Sequence, residues 1–426
     1  MTRGGGDGAT VDLVIIGGGI TGLGIARAAC LSDRRSRGRF SSPWSVHLFE
    51  RGRLASETSS NSHCIIHSGL RYIQNGALGR VLESARSLAE LQRAFPGQIA
   101  PLPCWMPVFG WGVKGWWGLT LGHLGYRAIV GAGRVNVSAG PGVVPIDKSP
   151  EHPLVKRRGA IAAFGWEDGW LRDHYGLVEQ VRDEIGLAGG VVREQTSVVR
   201  VNRENGRFAV ELSGGEVVHG RVVVDARGPW RDEEILNNKE IRWCLGFNVV
   251  LGRDISGGIG IAVPITGEGS DRGRMLFISP RSGGRSAIGT GYLPLSAFGR
   301  SEERNPIGSV SGSSRSLSEW LAAGSSTSVP EEHLASLVDE VACAGGLGLS
   351  LNDVVGVESG VLPRQVMRRR EEASPGAPVA ADPRTRVLAR DGYITVQAGK
   401  YTTFPSVGAQ VVALGEQWLS KEHRDA

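Results

Sequence analysis

The chain has 426 residues, of which 63 are glycine. That is about 15%, roughly twice the usual share, and with no three-residue glycine period it excludes collagen. With 41% hydrophobic and 21% charged residues the composition is that of a globular protein, and the length suits two or three domains. Lys+Arg 48 against Asp+Glu 43 gives a net charge of +5, scattered over Arg-rich loops such as Arg368-Arg369-Arg370, which argues against nucleic acid as a partner and suits a small anionic substrate.

Five cysteines, widely spaced and never in a CxxC pair, argue against a disulfide framework or a metal site and fit a reducing compartment. The Gly-rich stretch Met1 to Ala9 lacks the apolar core of a signal peptide. The run Val11 to Ile16 is too short and too soon broken by glycine to span a bilayer. The expected location is cytoplasmic.

In chain order, Val11 to Ile16 reads as a buried strand, Gly17 to Gly22 as a turn, and Ile20 to Leu31 as a helix. A basic loop, Asp33 to Arg39, leads to a second strand, Ser45 to Glu50, closing a βαβ unit. A Ser/Thr stretch (Ala55 to Ser62), a helix from about Gly79 to Phe95 and a Trp- and Gly-rich stretch from Pro101 to Val130 follow. Then come a helix near Leu177 to Leu187, strands Ser197 to Asn202 and Arg207 to Leu212, and a buried strand Gly220 to Asp225. Alternation from Trp243 to Leu293, including Arg274 to Ser279 and Ser286 to Gly291, predicts an antiparallel sheet. Gly299 to Ser328 reads as a Ser-rich loop, Pro330 to Ala344 as a helix, and Val361 to Ala381 is rich in Arg and Pro. Strand Tyr393 to Val396, the turn Gln397 to Lys400, and a helix over Thr403 to Leu419 close the chain.

The opening unit carries a dinucleotide fingerprint in context. Gly17 permits the tight turn, Gly19 lets backbone approach a pyrophosphate, and Gly22 lets the helix pack on the strand, with the helix N-terminus facing the phosphates. Glu50 at the end of the second strand suits the ribose hydroxyls, although it lies 28 residues after Gly22 instead of about 20. The two distant segments Val222 to Trp230 and Ile394 to Thr403 suit the long FAD better than NAD. A helix N-terminus near Thr402-Thr403 would stabilise charge on a reduced flavin.

The run Thr58-Ser59-Ser60-Asn61-Ser62-His63-Cys64-Ile65-Ile66-His67-Ser68-Gly69-Leu70-Arg71-Tyr72 resembles the signature of FAD-dependent glycerol-3-phosphate dehydrogenases, part of the D-amino-acid oxidase-like flavoprotein class. The resemblance extends to Gly220–Trp230, Ser286–Thr290, Ser359–Pro363 and Ala398–Phe404. It implies an α/β (α+β overall) fold, with a Rossmann-like FAD-binding domain (residues 9–75, 160–232 and 385–421) and a discontinuous antiparallel-sheet substrate domain (76–159 and 233–384). The cofactor contacts expected from fingerprint and resemblance together are Gly17, Gly19, Ile20, Thr21, Gly22, Glu50, Thr58, Ser59, Ser60, Val198, Gly228, Gly399, Lys400 and Thr402. It implies a substrate cavity lined by His67, Arg71, Tyr72 and Lys400. The reaction would be two-electron oxidation of a CH–OH or CH–NH bond, with hydride to flavin N5. A histidine suits the hydroxyl proton, and Arg and Lys suit an anionic tail.

Four departures bear on the substrate. Leu362 stands where the family usually has arginine, with Arg364 and Arg384 as candidate replacements. Pro405 replaces another arginine, Arg227 a small residue and Ala398 a glycine. Glycerol 3-phosphate, another phosphate ester, or a 2-amino or 2-hydroxy acid all stay open as substrates. His63, Cys64 and His67 are each capable of covalent flavin attachment. The Trp-rich stretch (Trp105, Trp111, Trp116, Trp117 with Phe109, Leu119, Leu121, Leu124 and Tyr126) suits either a domain core or a membrane interface, with modest basic support from Lys114, Arg127 and Arg134. Quinone, oxygen and a partner protein stay open as electron acceptor, and the oligomeric state is not legible.

Overall fold

A near-continuous apolar run becomes a strand buried on both faces only inside a parallel sheet, and Val11–Ile16 does so. A computed structural model describes residues 10–32, 43–112, 115–230, 242–265, 275–294, 329–364, 381–382 and 384–425. The basic loop 33–39, the Ser-rich segment 299–328, Arg368-Arg369-Arg370 and Lys114 lie outside the described residues. Contacts divide the chain into one unit of 1–60, 175–231 and 383–426 and another of 61–174 and 232–382.

The first unit is built on a sheet with the order Arg386–Arg390, Tyr393–Gln397, Val217–Asp225, Val11–Ile16, Val46–Phe49, Val191–Arg193. The last five strands run parallel, and the antiparallel ribbon Val198–Glu204 and Arg207–Leu212 continues from Val217–Asp225. Register brings Ile16 beside both Phe49 and Asp225, and Asp225 beside Thr395. Three loops therefore leave the carboxyl ends of neighbouring strands together, where open α/β sheets bind ligands. Helices Ile20–Cys30 and Phe404–Asp425 pack on one another, because a Cβ on Gly408 would lie 2.5 Å from the Gly24 carbonyl oxygen.

The second unit has a sheet ordered Val354–Arg364, Arg242–Leu251, Arg285–Pro294, Met275–Arg281, Gly260–Pro264, Ile99–Val108, Ala162–Leu171, Ile65–Ile66, with Gly142–Pro145 on Ala162–Leu171. It is antiparallel throughout except where Gly260–Pro264 meets Ile99–Val108 in parallel. The strand Ile99–Val108 tolerates Pro101, Pro103 and Pro107 because they share one parity, so the missing N–H groups fall on one edge. Helices Leu78–Ala94, Trp116–Ala132 and Glu331–Gly345 complete the unit.

Two boundaries differ from those expected. Residues 61–75 and 160–174 belong to the second unit, because Ile65 and Ile66 pair with Trp170 and Gly169 and Ala162–Leu171 pairs with Ile99–Val108. The strands Val354–Arg364 and Arg386–Arg390 lacked a period that marked them. The first hides in a Gly-containing motif, and the second is half polar and largely exposed.

Candidate active site

The turn after Val11–Ile16 is shaped by two glycines. Gly17 has φ +104°, and a Cβ there would lie 2.8 Å from the Ala226 carbonyl oxygen. A Cβ on Gly22 would lie 1.9 Å from the Gly17 oxygen, so only glycine lets the helix begin against the turn. The helix N-cap, Gly19, is extended and offers no side-chain cap. Ile20 N–H donates instead to Ser59 Oγ at 3.1 Å. Thr21, next in the helix, has a half-buried side chain. Glu50 accepts from Gly18 N–H at 2.7 Å through Oε2 and from Gly52 N–H at 2.8 Å through Oε1. Each carboxylate oxygen keeps a further lone pair for a ribose hydroxyl.

The other expected cofactor residues of this unit occupy several elements. Thr58 lies in the turn before residue 61, and the Ser60 hydroxyl is spent on the Ser56 and Glu57 carbonyls. Val198 packs against the cluster of Val11, Phe49 and Val210. Gly228, φ +62°, opens the short helical turn Gly228–Trp230, with nothing within 4 Å of a Cβ. Gly399 and Lys400 are half-buried, and Thr402 is buried. Gln397 Oε1 and Thr403 Oγ1 are buried without a hydrogen-bond partner among the described residues. These unspent polar atoms flank the closing strand-to-helix turn. Together with the glycine cradle and the acid at the strand end, they fit a bound dinucleotide with a second polar moiety.

Arg227 has a local reason. Asp225 is fully buried, and Arg227 meets it with Nε at 3.1 Å and Nη2 at 2.9 Å, while the Tyr393 hydroxyl donates at 3.3 Å. The arginine departure is thus paired with a buried acid two positions before it.

In the second unit, the pairing of Ile65–Ile66 with Gly169–Trp170 sets His67 against Asp168. His67 Nδ1 lies 2.9 Å from Asp168 Oδ2, which also accepts from Trp166 Nε1 at 3.1 Å, and the Ser68 N–H donates to Oδ1 at 2.7 Å. Burial alone would raise the Asp168 pKa. The His67 charge and hydrogen bond, with the Ser68 and Trp166 donors, bring it below the usual carboxylate range. Arg71 is exposed, with its guanidinium carbon 5.5 Å from the centroid of the buried Tyr72 ring. Burial pushes the Tyr72 phenol up, against the opposing pull of Arg71 and Arg80. Tyr292 also feels Arg71 and Tyr72. It shares with Leu362 and Thr290 the space beside Gly246.

The loop carrying His63 and Cys64 is clamped. Arg281 donates to the Ser62 and His63 carbonyls at 3.4 and 3.1 Å and pairs with Glu358 at 2.8 Å. Burial, then Arg281 and His67, keeps the His63 ring neutral. Burial raises the Cys64 thiol, which disfavours the thiolate. Among the expected substrate residues, His67, Arg71, Tyr72 and Arg364 lie in this unit, and Lys400 and Arg384 in the other. The sequence reading missed Asp168, Trp166, Arg281 and Glu358. The acid inside the apolar run Ala162 to Leu171 was the available signal.

The family model for FAD dependent oxidoreductases (DAO) matches residues 12–345. The chain belongs to this family. It is an FAD-dependent oxidoreductase, with the mixed α/β architecture the family carries. It is 29% identical to D-erythritol 1-phosphate dehydrogenase of Brucella abortus over 310 residues, 69% of this chain and 56% of that protein. It is 26% identical to the aerobic glycerol-3-phosphate dehydrogenase of Staphylococcus epidermidis over 425 residues, 97% of this chain and 68% of that one. The fold matches glycerol-3-phosphate dehydrogenase from Bacillus halodurans complexed with FAD (TM-score 0.62, 18% identity, 96% of this chain and 65% of that one). It also matches glycine oxidase from Bacillus cereus (TM-score 0.58, 17% identity, 96% and 95%). The chain thus spans between about half and two thirds of the length of the phosphate-ester dehydrogenases it matches. Among the described residues, no helix of this oxidoreductase is long and apolar enough to cross a membrane, and no group of three His, Cys, Asp or Glu is placed to hold a metal ion.

Proposed function

We propose that this oxidoreductase oxidises the secondary hydroxyl of a small anionic alcohol, in the manner of a glycerol-3-phosphate dehydrogenase. The observation that carries the reading is His67, a partly exposed imidazole tied at Nδ1 to the buried Asp168. That leaves Nε2 to take the hydroxyl proton. The first unit holds FAD along Gly17, Gly19, Ile20, Thr21, Gly22, Glu50, Thr58, Ser59, Ser60, Val198, Gly228, Gly399, Lys400 and Thr402. Bound FAD supplies a two-electron acceptor. The second unit binds substrate: Arg71 and Tyr72, with Arg364, hold the anionic tail and orient the carbon. Relatives named for phosphate-ester oxidation support this choice.

One observation favours a second reading, oxidation of a 2-amino or 2-hydroxy acid. Leu362 places an apolar side chain beside Gly246, Thr290 and Tyr292, where the resemblance implies a second cation. A singly charged carboxylate needs fewer cations than a phosphate ester. Anaerobic flavin reduction across phosphate esters, hydroxy acids and amino acids separates the two readings. Bleaching by phosphate esters supports the first, and bleaching by amino acids alone replaces it with the second.

The same proposal includes a lipid surface as partner. Trp111, Trp117, Leu121 and Leu124 are 61%, 57%, 66% and 54% exposed. On the helix Trp116–Ala132, positions 117, 121, 124 and 128 form one outward stripe. No acid occurs between Glu90 and Asp147, while Arg127 and Arg134 flank the stripe. Exposed indoles on a stretch of chain whose only charged residues are basic suit an anionic headgroup layer. Quinone dissolved in that layer is then the reoxidant within reach.

A further inference from the structure

Asp168 is buried within a strand, and its carboxylate meets donors among the described residues: His67 Nδ1, the Ser68 amide and the Trp166 indole. A carboxylate held below its ordinary range only accepts, so Nδ1 of His67 must carry the proton that makes the 2.9 Å bond. Phe277 meets both the His67 ring (5.6 Å between centroids) and the Trp166 ring (6.5 Å) edge-on, and Phe164 stacks on Trp166 at 5.6 Å. The ring thus has a fixed back and a fixed side.

We propose that Asp168, seated by Trp166 and the Ser68 amide, is a positioning residue that locks His67 in its Nδ1–H tautomer and so presents Nε2 to the substrate. The inference rests on the reading of His67 as the proton acceptor. In the step it serves, the substrate O–H bond breaks and its proton passes to Nε2. Bound FAD, as the two-electron oxidant, would take the carbon-bound hydrogen with its electron pair as the carbonyl forms. The imidazolium is paired with Asp168 until its proton passes to water. The other titratable groups that face Asp168 are Tyr72, Tyr126, Cys104 and Glu167, and His63 faces His67. Burial raises both phenols (Tyr126 to about 12) and the Cys104 thiol, and burial keeps His63 neutral. Glu167 is raised by burial but, as a carboxylic acid, titrates on the acid side.

The test compares Asp168→Asn, Trp166→Phe and His67→Ala as purified flavin-loaded enzyme. Asp168→Asn should lower kcat about 10²- to 10⁴-fold with little change in KM. Trp166→Phe keeps the His67 bond and should cost only a few-fold. A wild-type kcat in Asp168→Asn, beside an inactive His67→Ala, overturns the Asp168 role and leaves the base assignment intact. An active His67→Ala overturns the base assignment itself. Nitrogen NMR of histidine-labelled wild-type enzyme, with His67 assigned by its loss in His67→Ala, reads the tautomer directly and needs neither substrate nor a folded Asp168 variant. Protonated Nδ1 with bare Nε2 supports the proposal, and the reverse overturns it.

Discussion

His63 shows what a single buried ring does to stability. Its pKa is held well below the ordinary 6.5, first by burial and then by the nearby Arg281 and His67. The unfolded chain therefore binds a proton that the folded chain refuses. The stabilisation from this site is complete above about pH 6.5 and is lost as pH falls through the folded value, at up to about 1.4 kcal/mol per pH unit. Chemical denaturation from pH 7.5 to 5.5 should show a steeper loss for wild type than for His63→Gln, and parallel curves would contradict this. Asp225 and Arg227 teach a related lesson. The sequence showed an arginine where a small residue was expected, but the reason lies in a carboxylate two positions away and in Tyr393 from a distant strand. Gly17 and Gly22 were legible because backbone geometry demands their type locally. Asp168 was not, since two of its three donors, His67 and the Ser68 amide, come from a segment about a hundred residues away in the chain.

At the scale of elements, the loop before Ile65–Ile66 is clamped by one ion pair. Arg281→Leu would free the Ser62 and His63 carbonyls and leave Glu358 without its cation. Removing one partner of such a half-buried, hydrogen-bonded pair costs on the order of 1.5–3 kcal/mol, so the denaturation midpoint should fall. Arg281→Leu combined with Glu358→Leu should recover part of the loss. No change in the single variant would refute the clamp. The helix Trp116–Ala132 carries the opposite kind of information. Its inner face (His123, Tyr126, Val130) is buried, yet its outer stripe is apolar too. Composition drew attention to the tryptophans, but only the fold shows which face outward. Co-sedimentation with vesicles containing anionic lipid should retain wild type and release a Trp117→Glu, Leu121→Glu variant. Binding indifferent to lipid charge would contradict the electrostatic part of the account, and equal binding by the variant would remove the stripe from it. Helices and strands with a clear period were legible in sequence to within a few residues. The strand Ile99–Val108 was obscured by its prolines and Val354–Arg364 by its glycines, because sheet pairing there overrides local preference.

At the scale of the whole chain, the order of units follows from which strands find one another. The first sheet gathers strands from three separate stretches, and the register of Val11–Ile16 with Val46–Phe49 and Val217–Asp225 brings their carboxyl ends level. That much was implicit in the βαβ fingerprint and in the distant buried strand. The assignment of residues 61–75 to the second unit was not, since it depends on a two-residue strand pairing with Gly169 and Trp170. The consequence is functional: His67 and its orienting acid belong to one folded unit, with the glycine cradle in the other. The measurement that bears most directly on the account is anaerobic titration of the purified yellow protein with glycerol 3-phosphate and related phosphate esters at up to millimolar concentration. The account predicts that the flavin's visible absorbance bleaches with wild type and persists with His67→Ala. A flavin left oxidised by every phosphate ester would contradict it.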